Sequence, residues 1–281
     1  MPAAAAAPPF RFAEIAREDV HRHPDAIQRL ARGEIDGVVV KGVLPEATRS
    51  AVIDRLDRRT PPLRARIVEH VENGAEPPYV LSGGLIASPP DLAGYFADAA
   101  HFRAGCRELF RGHPDFEGLM AELIAAMGGG LPAEVPAGPE GQTYSPATVR
   151  VLPSTREIAL HCGMDFLHRP ECAHMRSVVD NAVQLSYFVP VLLPPSGGEL
   201  ELYDVTWGQT DGQRHVNGVP VAFMVALSRR MTAPVGRGDL ILFDGGRIYH
   251  RVTPVCPGGR RVTIGGFVAY STDRRRLYYW S

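Results

Sequence analysis

With 281 residues, 45% of them hydrophobic and 22% charged, the chain has the make-up of an ordinary globular protein, long enough to bury one substantial core. A formal net charge of -1 gives no field for holding nucleic acid or an anionic membrane, and no apolar run approaches the roughly 18 residues of a membrane span. The expected partner is therefore a small molecule, with no nucleic acid and no membrane.

The opening residues 1–10, MPAAAAAPPF, lack the basic start and leucine-rich stretch of a secretory signal. They read as a disordered tail, and the protein is expected to be cytoplasmic. Residues 11–281 read as a single domain, helical to about residue 140 and β from about residue 141. In the first part, FAEIAREDVHRHPDAIQRLARGEIDG suggests two short helices closed by a glycine, IDGVVVKGVL a strand, and PEATRSAVIDRLDRR a helix with proline near its start. Residues 91–127 supply two more helices, broken at GHP, and EPPYVLSGGLIASPP reads as a loop able to cover a site.

The pattern changes after GGGLPAEVPAGPEG. TYSPATVRVL, REIALHCGMDF, VQLSYFVPVLL, GELELYDV, PVAFMVAL, DLILFDGG, RIYHRVTPV and RRVTIGGFVAYS all read as strands, separated by Gly/Pro-rich turns with no helix-length crossovers. The fold class is therefore α+β: a two-sheet jelly roll, or double-stranded β-helix, with the helical half packed on one face. The C-terminal DRRRLYYWS reads as a packed end strand after a basic turn. The four cysteines, Cys106, Cys162, Cys172 and Cys256, show no CxxC pair or regular zinc spacing and are expected to be thiols.

Two of the ten histidines have settings that suggest chemistry. His161 ends an alternating strand just before an irregular segment, and His250 follows a turn near the far end of the β region; imidazoles from distant strands can hold a divalent metal in the mouth of a jelly roll. Eleven residues past His250, Arg261 and Thr263 lie two apart on a strand and share a face. A guanidinium and a hydroxyl so placed suit the far carboxylate of a dicarboxylic acid. Arg260 points the other way, so only one of the two arginines should serve, with Arg261 favoured.

These residues, with the turn PPSGGELELYD, resemble the iron(II)/2-oxoglutarate-dependent oxygenase superfamily over about residues 143–281. The resemblance implies the jelly-roll fold and the use of Fe(II), 2-oxoglutarate and dioxygen. In that superfamily the first histidine belongs to an HxD or HxE motif, whereas here the third position is Gly163. The stretches LHCGMDFLH, NAVQLSYF, PPSGGELELYD and RRVTIGGFVAYSTDRRRLYYWS are similar to the freestanding aliphatic halogenases of hapalindole- and welwitindolinone-type pathways, which act on free small molecules without a carrier protein. That resemblance implies His161 and His250 as iron ligands, Gly163 as the vacated position facing chloride, Ser186 as a hydroxyl donor beside the metal, and chlorination of an sp3 carbon.

Other readings stay open in the sequence. Asp165 could complete the site if the chain turned sharply at Gly163, since in an extended strand it would lie about 13 Å from His161. Either Asp165 or water in the vacancy would make a hydroxylase or desaturase. A jelly roll that kept its histidines without activity would be a binding protein. His168 and His174 fall near His161, yet their spacing fits no closed zinc pattern. Phe166, Tyr187, Phe188 and Trp207 are candidates for an apolar substrate pocket.

Overall fold

The computed structural model describes residues 10–58 and 92–281, together with the backbone of 65–67 and 79–81. Sixteen strands and eight α-helices occur among the described residues. In chain order the strands are β1 Phe12–Ala16, β2 Gly37–Lys41, β3 Ala65–Ile67, β4 Tyr79–Leu81, β5 Ala133–Glu134, β6 Thr148–Leu152, β7 Ile158–His161 and β8 Leu185–Leu192. They continue with β9 Leu200–Thr206, β10 His215–Val216, β11 Val219–Pro220, β12 Arg230–Thr232, β13 Leu240–Phe243, β14 Ile248–Val252, β15 Arg261–Tyr270 and β16 Leu277–Trp280. The helices are α1 Ala26–Ala31, α2 Glu46–Asp57, α3 Leu92–Leu109, α4 Phe116–Met127, α5 Met164–Leu167, α6 Ala173–Val178, α7 Trp207–Thr210 and α8 Val221–Leu227.

Two sheets make the jelly roll. The larger runs β1-β2-β13-β8-β15-β6-β4-β3, with β16 also paired to β15 and β5 to β16; the smaller runs β12-β9-β14-β7. Strand alternation sorts the large sheet into two faces. Leu185, Tyr187, Val189 and Val191 of β8, Val149 and Val151 of β6, and Val262 and Ile264 of β15 enter one core with the helices. Helix α4 meets that core with Phe116, Leu119, Met120, Leu123, Ile124 and Met127, a stripe at helical spacing, and Asp115 caps it by accepting from Gly118 N at 2.8 Å. The other face, bearing Ser186, Phe188, Arg150, Arg261 and Thr263, looks toward the small sheet.

Two expected elements differ. The first expected helix is strand β1 followed by a 3-10 turn at Arg17–Arg22, because Phe12 to Ala16 pair in parallel with Gly37 to Lys41 and the sheet overrides local helical preference. PVAFMVAL, expected as a strand, is helix α8: Val221 and Val225, one turn apart, are buried, while Phe223 and Leu227 are exposed. A continuous apolar run carries no period, so strand and helix could not be told apart there. Phe10, counted in the expected tail, is buried. The remaining tail residues lie outside the described ones, as does most of EPPYVLSGGLIASPP. Among the described residues no helix is long and apolar enough to cross a membrane.

Candidate metal and 2-oxoglutarate site

The antiparallel pairing of β7 and β14 sets His161 directly opposite His250, with ring centroids 4.2 Å apart. Each ring is held by its own strand: Nδ1–H of His161 donates to the Ala159 carbonyl at 2.7 Å, and Nδ1–H of His250 to that of Ile248 at 2.8 Å. That fixes the tautomer and leaves both Nε2 lone pairs free, the arrangement that metal-ligating imidazoles use. Burial lowers the pKa of His161 to about 4 and holds His250 well below its ordinary value, so both rings are neutral near pH 7. Phe166 stands edge-on to His161 and Phe243 edge-on to His250.

Beyond His161 the chain does turn sharply. Gly163 has helical angles, φ -67 and ψ -27, and starts α5, with its N–H on the Gly245 carbonyl at 2.7 Å and that of Met164 on Gly246 at 3.1 Å. The turn does not deliver Asp165 to the histidines. Its N–H donates to the Cys162 carbonyl at 3.2 Å, burial raises the pKa of its carboxyl, and among the described residues no set of three His, Cys, Asp or Glu side chains is arranged to share a metal. His168 stacks on Trp207 and His174 on Tyr144, so neither joins the pair.

On the inner face of the large sheet lies Arg261, 3% exposed. Its guanidinium lies 5.1 Å over the Phe188 ring and its Nη1 donates to Thr263 Oγ1 at 3.5 Å, while among the described residues its Nε has no hydrogen-bond partner. Burial, with nearby Arg150, lowers its pKa to about 9, which keeps it charged at neutral pH. Arg260, on the opposite face, is committed to Asp57 by two hydrogen bonds of 2.5 and 3.1 Å. Arg150, opposite Thr263 on β6, is half-buried on the same face as Arg261, close enough for its charge to be felt by both histidines, and among the described residues no ion pair to a carboxylate is found for it. No motif in the sequence marks this arginine. An arginine at an inward position between Val149 and Val151 was the available signal.

Buried cations persist only when something pairs them. Two guanidiniums on one inner wall, one with a bare Nε, fit a dianion such as 2-oxoglutarate, and two neutral imidazoles with open Nε2 atoms fit a divalent metal. Ser186, nearly buried, projects from β8 on this inner face beside Gly245. Phe188 is also on this wall, and Phe166 is beside His161. Tyr187 is not a pocket residue. Alternation turns it to the helical core, where its hydroxyl donates to the Pro146 carbonyl at 2.5 Å. Trp207 stands one layer out, against His168.

Residues 9–281 match the family described as the carrier-protein-independent halogenase WelO5. Among solved structures, an N-substituted L-amino acid dioxygenase from Burkholderia ambifaria AMMD is similar over 91% of this chain and 91% of its own, with a TM-score of 0.56 at 18% identity. The α-ketoglutarate-dependent epimerase SnoN from nogalamycin biosynthesis is similar over 88% of this chain and 84% of its own, with a TM-score of 0.51 at 14% identity. At such identities these structures speak for the jelly-roll fold alone. A search of curated proteins gave no significant match. With a match that runs over nearly all of its length, the chain belongs to the carrier-protein-independent halogenase family WelO5, and is an iron(II)/2-oxoglutarate-dependent oxidoreductase.

Proposed function

We propose that the protein chlorinates an unactivated sp3 carbon of a free small molecule, forming succinate and carbon dioxide from 2-oxoglutarate. Gly163 carries this reading: the position that would supply the third, carboxylate ligand has no side chain, and Asp165 is engaged elsewhere. Two protein ligands leave one more open position than the two-histidine, one-carboxylate arrangement, and chloride fills it.

When bound, iron(II), 2-oxoglutarate and dioxygen supply the oxidising power to remove a hydrogen atom from carbon, and chloride supplies the atom delivered to it. His161 and His250 hold the metal through Nε2, their orientation set by the Ala159 and Ile248 carbonyls. Arg261 and Thr263 grip the far carboxylate of 2-oxoglutarate, and Arg150 balances the remaining charge of the dianion. Phe188, Phe243 and Phe166 keep water from the charged groups. Ser186 presents a buried hydroxyl on the inner face beside Gly245, which would bias the outcome toward halide by hydrogen bonding next to the metal. Turnover of candidate substrates with and without chloride, read by mass spectrometry, tests this. Products that gain chlorine only in chloride are expected; products that gain only oxygen under saturating chloride contradict chlorination and leave a hydroxylase.

A further inference from the structure

The turn at Gly245 and Gly246 ties together the end of β7 and the start of β8. Its carbonyls accept the N–H groups of Gly163 and Met164, and Gly246 N–H donates to the Gln184 carbonyl at 2.9 Å. Gln184 is thereby fixed just before β8, where alternation gives it the same face as Ser186 and Phe188. The residue is 2% exposed, and among the described residues its side-chain Nε2 has no hydrogen-bond partner. Buried polar groups are paired almost without exception, so a bare amide donor in the interior points to a ligand that the protein alone does not contain. The nitrogen lies 2.5 Å from where a Cβ on Gly163 would stand, with the Gly245 carbonyl oxygen at 3.1 Å and Gly246 Cα at 3.2 Å. The amide thus fills the space that any side chain at position 163 would enter.

Taking His161 and His250 as iron ligands, we infer that Gln184 is a halide-selecting residue: its unpartnered amide N–H donates to the small anion held at the position Gly163 leaves open, and its bulk keeps a side chain out of that position. A neutral donor stabilises the anion without adding a charge that would compete with the metal for it. A carboxylate grown from residue 163 would have to displace the amide first.

The test uses the full-length protein loaded anaerobically with iron(II) and 2-oxoglutarate, whose charge-transfer absorption reports the metal surroundings without turnover. Sodium chloride is titrated against sodium sulfate at matched ionic strength. Gln184→Ala and Gln184→Glu should weaken the apparent chloride affinity by about ten-fold or more, as expected for one hydrogen bond to a charged partner. Affinities within about two-fold of the parent in both variants would overturn the role of Gln184 and spare the halogenase reading. Absence of any chloride response in the parent protein overturns both. Thermal unfolding of the metal-free protein checks the packing independently. Gly163→Ala should lower Tm in the parent, and much less in a Gln184→Ser background, where the crowding atom is gone. Equal losses in the two backgrounds contradict the placement of the amide.

Discussion

The two faces of the large sheet are made by the same strands and follow opposite rules. On the helical side, Leu185, Tyr187, Val189, Val262 and Ile264 are buried in apolar packing, and the Tyr187 hydroxyl has found a carbonyl. On the inner side the intervening residues are Gln184, Ser186, Arg150, Arg261 and Thr263, and two of them, Gln184 and Arg261, carry buried atoms with no partner among the described residues. Stability is invested in one face and readiness for ligands in the other.

The largest effects should come from the histidines of the small sheet that this inner face confronts. His161→Ala or His250→Ala should lower iron(II) affinity by about 100-fold or more and abolish turnover, as removal of one of only two protein ligands requires; calorimetry under anaerobic conditions measures it. Iron binding unchanged in either variant would move the site elsewhere.

The two faces themselves should respond with opposite signs. Leu185→Ala on the helical side leaves a cavity and should destabilise the fold by about 2–5 kcal/mol in denaturant, with 2-oxoglutarate binding retained. Arg261→Met on the inner side should stabilise the metal-free protein by about 1 kcal/mol while abolishing 2-oxoglutarate binding, because it removes a buried charge whose partner is the ligand. Arg260→Met, one residue away, should leave 2-oxoglutarate affinity unchanged, since its partner is Asp57. If Arg260→Met loses the cosubstrate and Arg261→Met does not, the two faces have been assigned the wrong way round.

The smallest effect is a dependence on pH. The unfolded chain takes up protons on its imidazoles near the ordinary value of 6.5, whereas folded His161 does so only at about 4, and His250 lies well below 6.5 as well. Between those values the unfolded state binds more protons, so the metal-free protein should lose stability as pH falls through that window. His250→Phe should flatten the loss measured by urea unfolding at pH 7 and pH 5; an unchanged slope would show that the imidazoles are not desolvated.

Much of this division was legible in the sequence. The pair Arg261 and Thr263 was readable because a strand period of two assigns faces without knowing the fold, and the same rule separated Arg260. Helices α2, α3 and α4 were readable from their period. Strand β1 was not, because its partner Gly37 to Lys41 lies beyond any local window, and α8 was not, because a uniformly apolar run has no period. Tyr187 was misplaced by treating aromatic content as a sign of a pocket when alternation with Ser186 already put it on the other face. Arg150 was within reach of the same alternation rule, as an arginine between the inward-core residues Val149 and Val151; Gln184 and the bare Nε of Arg261 were invisible for another reason. Their significance lies in the partners they lack, and only coordinates show a missing partner.

The central claim, that two imidazoles without a carboxylate leave a place for halide on iron, is tested most directly by X-ray absorption at the iron edge. The protein would be loaded with iron(II) and 2-oxoglutarate and compared in sodium bromide and sodium sulfate. A bromine scatterer in the first shell of the bromide sample, absent in sulfate, is the result expected; a shell of nitrogen and oxygen alone in both samples would contradict the claim.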